Sequence, residues 1–197
     1  MSVQWAKAAD RIVGGALLRA LAAAPRRRAA AHGPLRELVA VKFWGIGNAA
    51  LLLPVLMSLK RVHRGARLTV VTLRGNEPVY RGVADRVLSV RMRPLPAAVV
   101  DLLRAGALLR GTRPDLAVDF EQYVRSSQLL LALAGARRVC AFDTAGLRRA
   151  GLADVLVPCS DAVHAGDSFA ALGRAAGAPA DAYAPGGLRP THAAAGW

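Results

Sequence analysis

Two stretches of this sequence gather the groups that could do chemistry. Gly45-Ile46-Gly47-Asn48-Ala49-Ala50 fits the pattern G-x-G-x-x-A. Glycines there let a backbone turn sharply, and a helix start behind them offers free N–H groups to an anion. Asn48 is the residue expected to open that helix. A carboxylate at this place could take a proton; an amide cannot. The second stretch, Asp119-Phe120-Glu121-Gln122-Tyr123-Val124-Arg125-Ser126, combines ionisable groups with a glutamine. Its members also have plainer readings. Asp119 can cap the following helix. Glu121 and Arg125, four apart, can form an ordinary helix pair worth only ~0.2–0.5 kcal/mol. Farther on, Arg138-Val139-Cys140-Ala141-Phe142-Asp143 reads as a strand ending in an acid, which also fits a turn-forming Asp. His164 has no metal partner at suitable spacing, so no metal site is expected. No P-loop, G-x-S-x-G or H-E-x-x-H motif occurs.

An alternating pattern must position these groups. Short apolar runs at 38–43, 67–73, 86–91, 115–120, 137–142 and 154–158 read as strands. Helical stretches at 48–63, 78–84, 96–109, 123–134 and 164–176 separate them. Such alternation predicts an α/β fold, a parallel sheet with helices on both faces. Ligands of such sheets bind at the carboxyl ends of the strands. Both the glycine turn, after the first strand, and the acidic stretch, after the fourth, are expected on that edge. Pro54 predicts a kink or a late start in the first helix.

Residues 1–37 form a separate leading segment. Trp5, Ala9, Ile12, Val13, Ala16 and Ala20 fall on one helical face, with Lys7 and Arg11 opposite. Seven basic residues stand here against two acidic ones. A basic amphipathic lead of this kind can lie on anionic lipid, each cation contributing ~1 kcal/mol. It can equally pack on its own domain with a solvated basic face. Arg19 interrupts residues 12–24, which argues against a cleaved signal peptide. At the other end, residues 178–197 are rich in Ala, Pro and Gly and read as a disordered tail. The domain between them is expected to span 38–177.

The whole chain has 197 residues, 54% of them hydrophobic and only 5% aromatic. That length and composition build a globular α/β core from Ala, Leu and Val and exclude a disordered chain. A net charge of +14 favours phosphate-rich partners, although a GC-rich genome would also write Arg and Ala freely. The arginines lack interleaved aromatics for stacking, so no nucleic-acid partner is expected. Two cysteines are too few for a disulfide scaffold or a zinc site, which fits a reducing cytoplasm.

In order and spacing, several stretches resemble the N-terminal half of glycosyltransferase family 9, the ADP-heptose:lipopolysaccharide heptosyltransferases. They are Val-Lys-Phe-Trp-Gly-Ile-Gly-Asn at 41–48, Leu-Leu-Leu-Pro-Val-Leu at 51–56 and Gly-Ala-Arg-Leu-Thr-Val-Val-Thr at 65–72. Arg-Pro-Asp-Leu-Ala-Val-Asp at 113–119, Arg-Ser at 125–126 and Ala-Gly-Ala-Arg-Arg-Val at 134–139 continue the series. The His164-led helix ending in Ala-Leu-Gly-Arg-Ala-Ala-Gly at 171–177 closes it. This resemblance implies a GT-B enzyme: two Rossmann-like domains with the active site between them, inverting and independent of metal or other cofactors. The N-terminal half would take a glycan or glycolipid acceptor of lipopolysaccharide type. The other half would take the nucleotide-sugar, an ADP-sugar, as co-substrate. The implied acceptor contacts are Gly45, Ile46, Gly47, Gln122 and Arg125. The implied location is the cytoplasm, with peripheral contact to the inner face of the membrane.

Asn48 departs from the family, which commonly has an Asp there to deprotonate the acceptor hydroxyl. General-base help of this kind is worth ~10²–10⁴ in rate. One expectation is that Glu121 supplies the base from the neighbouring loop while Asn48 orients the acceptor. No donor-side half follows in this sequence, so the chain alone is expected to be inactive. Two other readings stay open. One is an NADP-binding oxidoreductase. The acid expected about 20 residues beyond the glycines is missing, but Arg74 could meet a 2′-phosphate. The other is a non-enzymatic basic module for a membrane surface.

Overall fold

The computed structural model describes residues 33–144 and 151–179. The amphipathic segment expected at 1–37 and the tail expected at 178–197 therefore lie almost wholly outside the described residues.

Six parallel strands form one sheet: β1 (Glu37–Val41), β2 (Arg67–Leu73), β3 (Arg86–Val90), β4 (Leu116–Asp119), β5 (Arg138–Asp143) and β6 (Val155–Pro158). Their spatial order is β3-β2-β1-β4-β5-β6. Among the described residues, three α-helices lie between strands, α1 (Ile46–Val62), α2 (Leu95–Thr112) and α3 (Ser126–Ala134), and a fourth, α4 (Ala165–Ala175), follows β6. This is the Rossmann-like α/β architecture expected from the alternating pattern. Strand alternation divides the core in two. Leu38 and Ala40 of β1 face α1 and α4, through Leu52, Val55, Leu56, Phe169 and Leu172. Val39 and Val41 face α2 and α3, through Ala105, Leu109, Leu130 and Leu131. Helices thus cover both faces of the sheet.

Several boundaries differ from expectation, each for a local reason. The helix expected at 78–84 is a single 3-10 turn at Glu77–Tyr80. Pro78 starts it, and Gly82, at φ +81°, turns the chain away at once. α1 begins at Ile46, two residues early, because Gly45 at φ +82° makes the turn. Asn48 is therefore the third residue of α1, not its opener. Pro54 lies inside α1 rather than delaying its start. α3 begins at Ser126, so Glu121 and Arg125 have no helix along which to pair. Ala178, expected to open the tail, is buried in the core, its amide bonded to the Gly173 carbonyl at 2.8 Å.

Two tight packings fix the layers. Gly173 on α4 lies so close to α1 that a Cβ there would sit 2.4 Å from Val55 Cγ1. On the other face, Arg91 at the exit of β3 forms a bidentate pair with Asp101 of α2, at 2.7 and 2.9 Å.

Candidate active site

Strand order reverses between β1 and β4, which are adjacent and parallel. In a doubly wound sheet this switch opens a crevice at the carboxyl edge. The glycine turn and the acidic stretch leave β1 and β4 at that crevice, as the sequence predicts.

Glu121 joins the two loops. Its Oε1 accepts from the Phe43 amide at 2.6 Å, the Trp44 amide at 2.9 Å and Lys42 Nζ at 3.1 Å. Both Lys42 and Glu121 are only 3% exposed. The Lys42 ammonium also lies 5.6 Å from the centroid of the Phe169 ring. Phe169 meets Phe120 edge to face at 5.9 Å, so the cation rests on a packed aromatic floor. The carbonyls of the same turn are held from the other side. Thr72 Oγ1 donates to the Lys42 carbonyl at 2.7 Å, and Asn76 Nδ2 donates to the Phe43 carbonyl at 2.9 Å. Loops after β1, β2 and β4 are thereby locked into one unit.

Asp119 closes the β4 side. It is fully buried, its Oδ1 accepting from the Glu121 amide at 3.1 Å and its Oδ2 from Ser127 Oγ at 2.8 Å. Asp119 therefore ties its loop to the first turn of α3.

Above this buried clamp stands the exposed start of α1. Ile46 and Gly47 are exposed and Asn48 is half-buried. The first amides of a helix have no intrahelical acceptor, and the dipole makes this end positive. No acidic residue occupies the first turn of α1. Gln122 and Arg125 are half-buried on the neighbouring loop, and Tyr123 is exposed. The Tyr123 hydroxyl donates to the Asp161 carboxylate, which pushes its pKa up to about 12. The structure thus brings Gly45, Ile46, Gly47, Asn48, Glu121, Gln122 and Arg125 to one edge. It separates them by depth, with Glu121 below and the glycine turn above.

Asp143 ends β5 and is exposed. His164 is the N-cap of α4, where Nδ1 accepts from the Gly166 amide at 3.2 Å. Among the described residues, no group of three His, Cys, Asp or Glu side chains is placed to hold a metal ion. No helix among them is long and apolar enough to cross a membrane. Lys42 was not singled out by the sequence reading. Its signal was a lysine inside the apolar run Leu38-Val-Ala-Val-Lys42-Phe43, where an unpaired charge would be costly.

No family model and no curated protein matches the chain. Solved structures do. A glycosyltransferase family 9 structure from Veillonella parvula aligns at a TM-score of 0.63 and 14% identity, over 73% of this chain and 42% of that one. E. coli heptosyltransferase WaaC with ADP aligns at 0.57 and 15%, over 73% and 48%. E. coli ADP-heptose lps heptosyltransferase II aligns at 0.52 and 16%, over 70% and 40%. The chain spans less than half the length of these structures. The resemblance to glycosyltransferase family 9 read from the sequence therefore holds in the fold: this chain is built like part of a family 9 heptosyltransferase.

Proposed function

We propose that this chain is the acceptor-side half of an inverting glycosyltransferase that moves a sugar from a nucleotide-sugar to a glycan or glycolipid acceptor. One observation carries the reading: the glycine turn of β1 and the loop of β4 are clamped together at the switch point of a family 9 fold. In this proposal the acceptor lies against Gly45, Ile46 and Gly47, beside Gln122 and Arg125. Asn48 orients the acceptor hydroxyl through its amide. An ADP-sugar enters from a second Rossmann-like half.

The proposed role of Glu121 differs from the base expected from sequence. A general base must come within hydrogen-bond reach of the proton it removes. Glu121 is buried, and its Oε1 already accepts three hydrogen bonds. A positioning role fits that geometry: Glu121 holds the turn that presents the α1 amides and Asn48. Neither the buried, fully engaged Glu121 nor the Asn48 amide then serves as the base.

Equilibrium titration of the 197-residue chain with a lipopolysaccharide-core oligosaccharide, and separately with NADPH, tests the reading. Saturable saccharide binding that NADPH does not displace supports it. Tight NADPH binding with no saccharide binding would overturn it in favour of the oxidoreductase. Glu77, the first acid after β2, turns its carboxylate onto the Gly75 amide within its own turn.

A further inference from the structure

α2 breaks the rule that surface helices keep. Ala98, Ala105, Gly106 and Leu109 face the core. The opposite side is apolar too. Leu95, Val99 and Leu103 form one row at four-residue spacing, and Val100, Arg104 and Leu108 form the next. Leu95 is 60% exposed and Leu103 53%. Half of the exposed large apolar side chains among the described residues stand on this one helix. A helix apolar all round is normally buried, and a contiguous exposed apolar patch marks an interaction surface.

Charge selects the occupant. Among the described residues, the exposed charged residues on this helix and at its two ends are Arg93, Arg104, Arg110 and Arg113. The acid of the helix, Asp101, is engaged in its bidentate pair with Arg91. An apolar ridge that carries exposed arginines complements anionic headgroups above acyl chains. A second copy of the face would set arginines against arginines. The leading segment 1–37, with seven basic residues against two acidic, carries the same sign.

We propose that the outer face of α2 is a docking surface for an anionic lipid bilayer. Val99, Leu103 and their neighbours enter the headgroup–acyl boundary while Arg104 and Arg110 meet lipid phosphates. The proposal stands apart from the transferase reading, since it uses none of the residues at the carboxyl edge.

Sedimentation of the whole chain with vesicles tests it, using phosphatidylcholine alone and phosphatidylcholine mixed with phosphatidylglycerol. The unaltered chain should pellet with the mixed vesicles and not with phosphatidylcholine alone. The double variant Val99→Glu with Leu103→Glu should bind the mixed vesicles at least about tenfold more weakly, since it removes apolar contact and adds repulsion. Both side chains are exposed, so the circular dichroism spectrum should not change. A second readout does not depend on that variant folding: in Leu103→Trp, the new indole emission should shift to the blue with mixed vesicles and be quenched by brominated lipid. Equal pelleting of variant and unaltered chain, no pelleting of the unaltered chain, or an unmoved Leu103→Trp emission would overturn the proposal. So would a dimer, seen by ultracentrifugation, that the double variant abolishes, because it would assign the face to a second copy.

Discussion

Glu121 holds the turn after β1 at the carboxyl edge, and it does so from below. Its carboxylate neutralises a buried lysine and anchors two backbone amides, so removing it leaves Lys42 uncompensated in the core. Breaking a buried ion pair from one side typically costs ~3–5 kcal/mol. Urea unfolding of Glu121→Ala should show a loss of that size. Glu121→Gln also leaves Lys42 without a counter-charge but keeps an oxygen that can accept from the two amides and the ammonium, so its cost should be smaller, about 1–3 kcal/mol. Equal stability of all three proteins would deny the clamp. Asn48 makes the complementary case. It lies in the first turn of α1, where no acid offsets the helix dipole. Asn48→Asp should therefore stabilise the fold by about 0.3–1 kcal/mol at neutral pH and low salt. A lower Tm for that variant would show that Asn48 is held there for a contact of its own. Gly45, Gly47 and Asn48 were legible from local spacing alone. The Lys42–Glu121 pair was not, because its members lie 79 residues apart and only the β1–β4 adjacency brings them together.

Elements were read well where the pattern was long and badly where a turn residue decided. β2 matched its expected bounds, since Leu68 to Thr72 are β-branched or apolar residues buried on both faces without a break. The stretch at 78–84 carried a helical pattern, but Pro78 and Gly82 confine it to one 3-10 turn. The close approach of α1 and α4 gives a sharp test. Gly173→Ala should destabilise the protein by about 1–3 kcal/mol through its clash with Val55, and adding Val55→Ala should recover most of that loss. Additive losses in the double variant would contradict the packing. The Arg91–Asp101 pair joins β3 to α2, and hydrogen bonds from the Arg91 side chain and amide hold the Asp101 carboxyl well below its usual value of 3.8. A carboxylate with a lowered pKa contributes stability above its unfolded value and loses it as pH falls through the folded one. Asp101→Asn should therefore lower Tm at neutral pH. The gap to the unaltered protein should begin to close only as pH falls below about 4. A gap that closed near neutral pH would rule out the pair as its source.

At the scale of the molecule, the fold class followed from alternation, while the strand order and the depth of the site did not. Sequence placed the glycine turn and the acidic loop on one edge of a parallel sheet. It could not tell which side chain would sink beneath the other, because that depends on Phe120, Phe142 and Phe169 filling the space under Lys42. What emerges is a rigid, preorganised rim: the turn after β1 has its amides held by Glu121 and its carbonyls by Thr72 and Asn76. That rim is proposed to receive a sugar hydroxyl. Amide chemical-shift mapping of the chain, titrated with a lipopolysaccharide-core oligosaccharide, tests this most directly. The account predicts saturable shifts concentrated at Trp44, Gly45, Ile46, Gly47 and Asn48 and at Gln122 to Arg125. Shifts confined to the amino edge of the sheet, around Arg36, Ala66 and Asp115, or no saturable shifts at all, would contradict it.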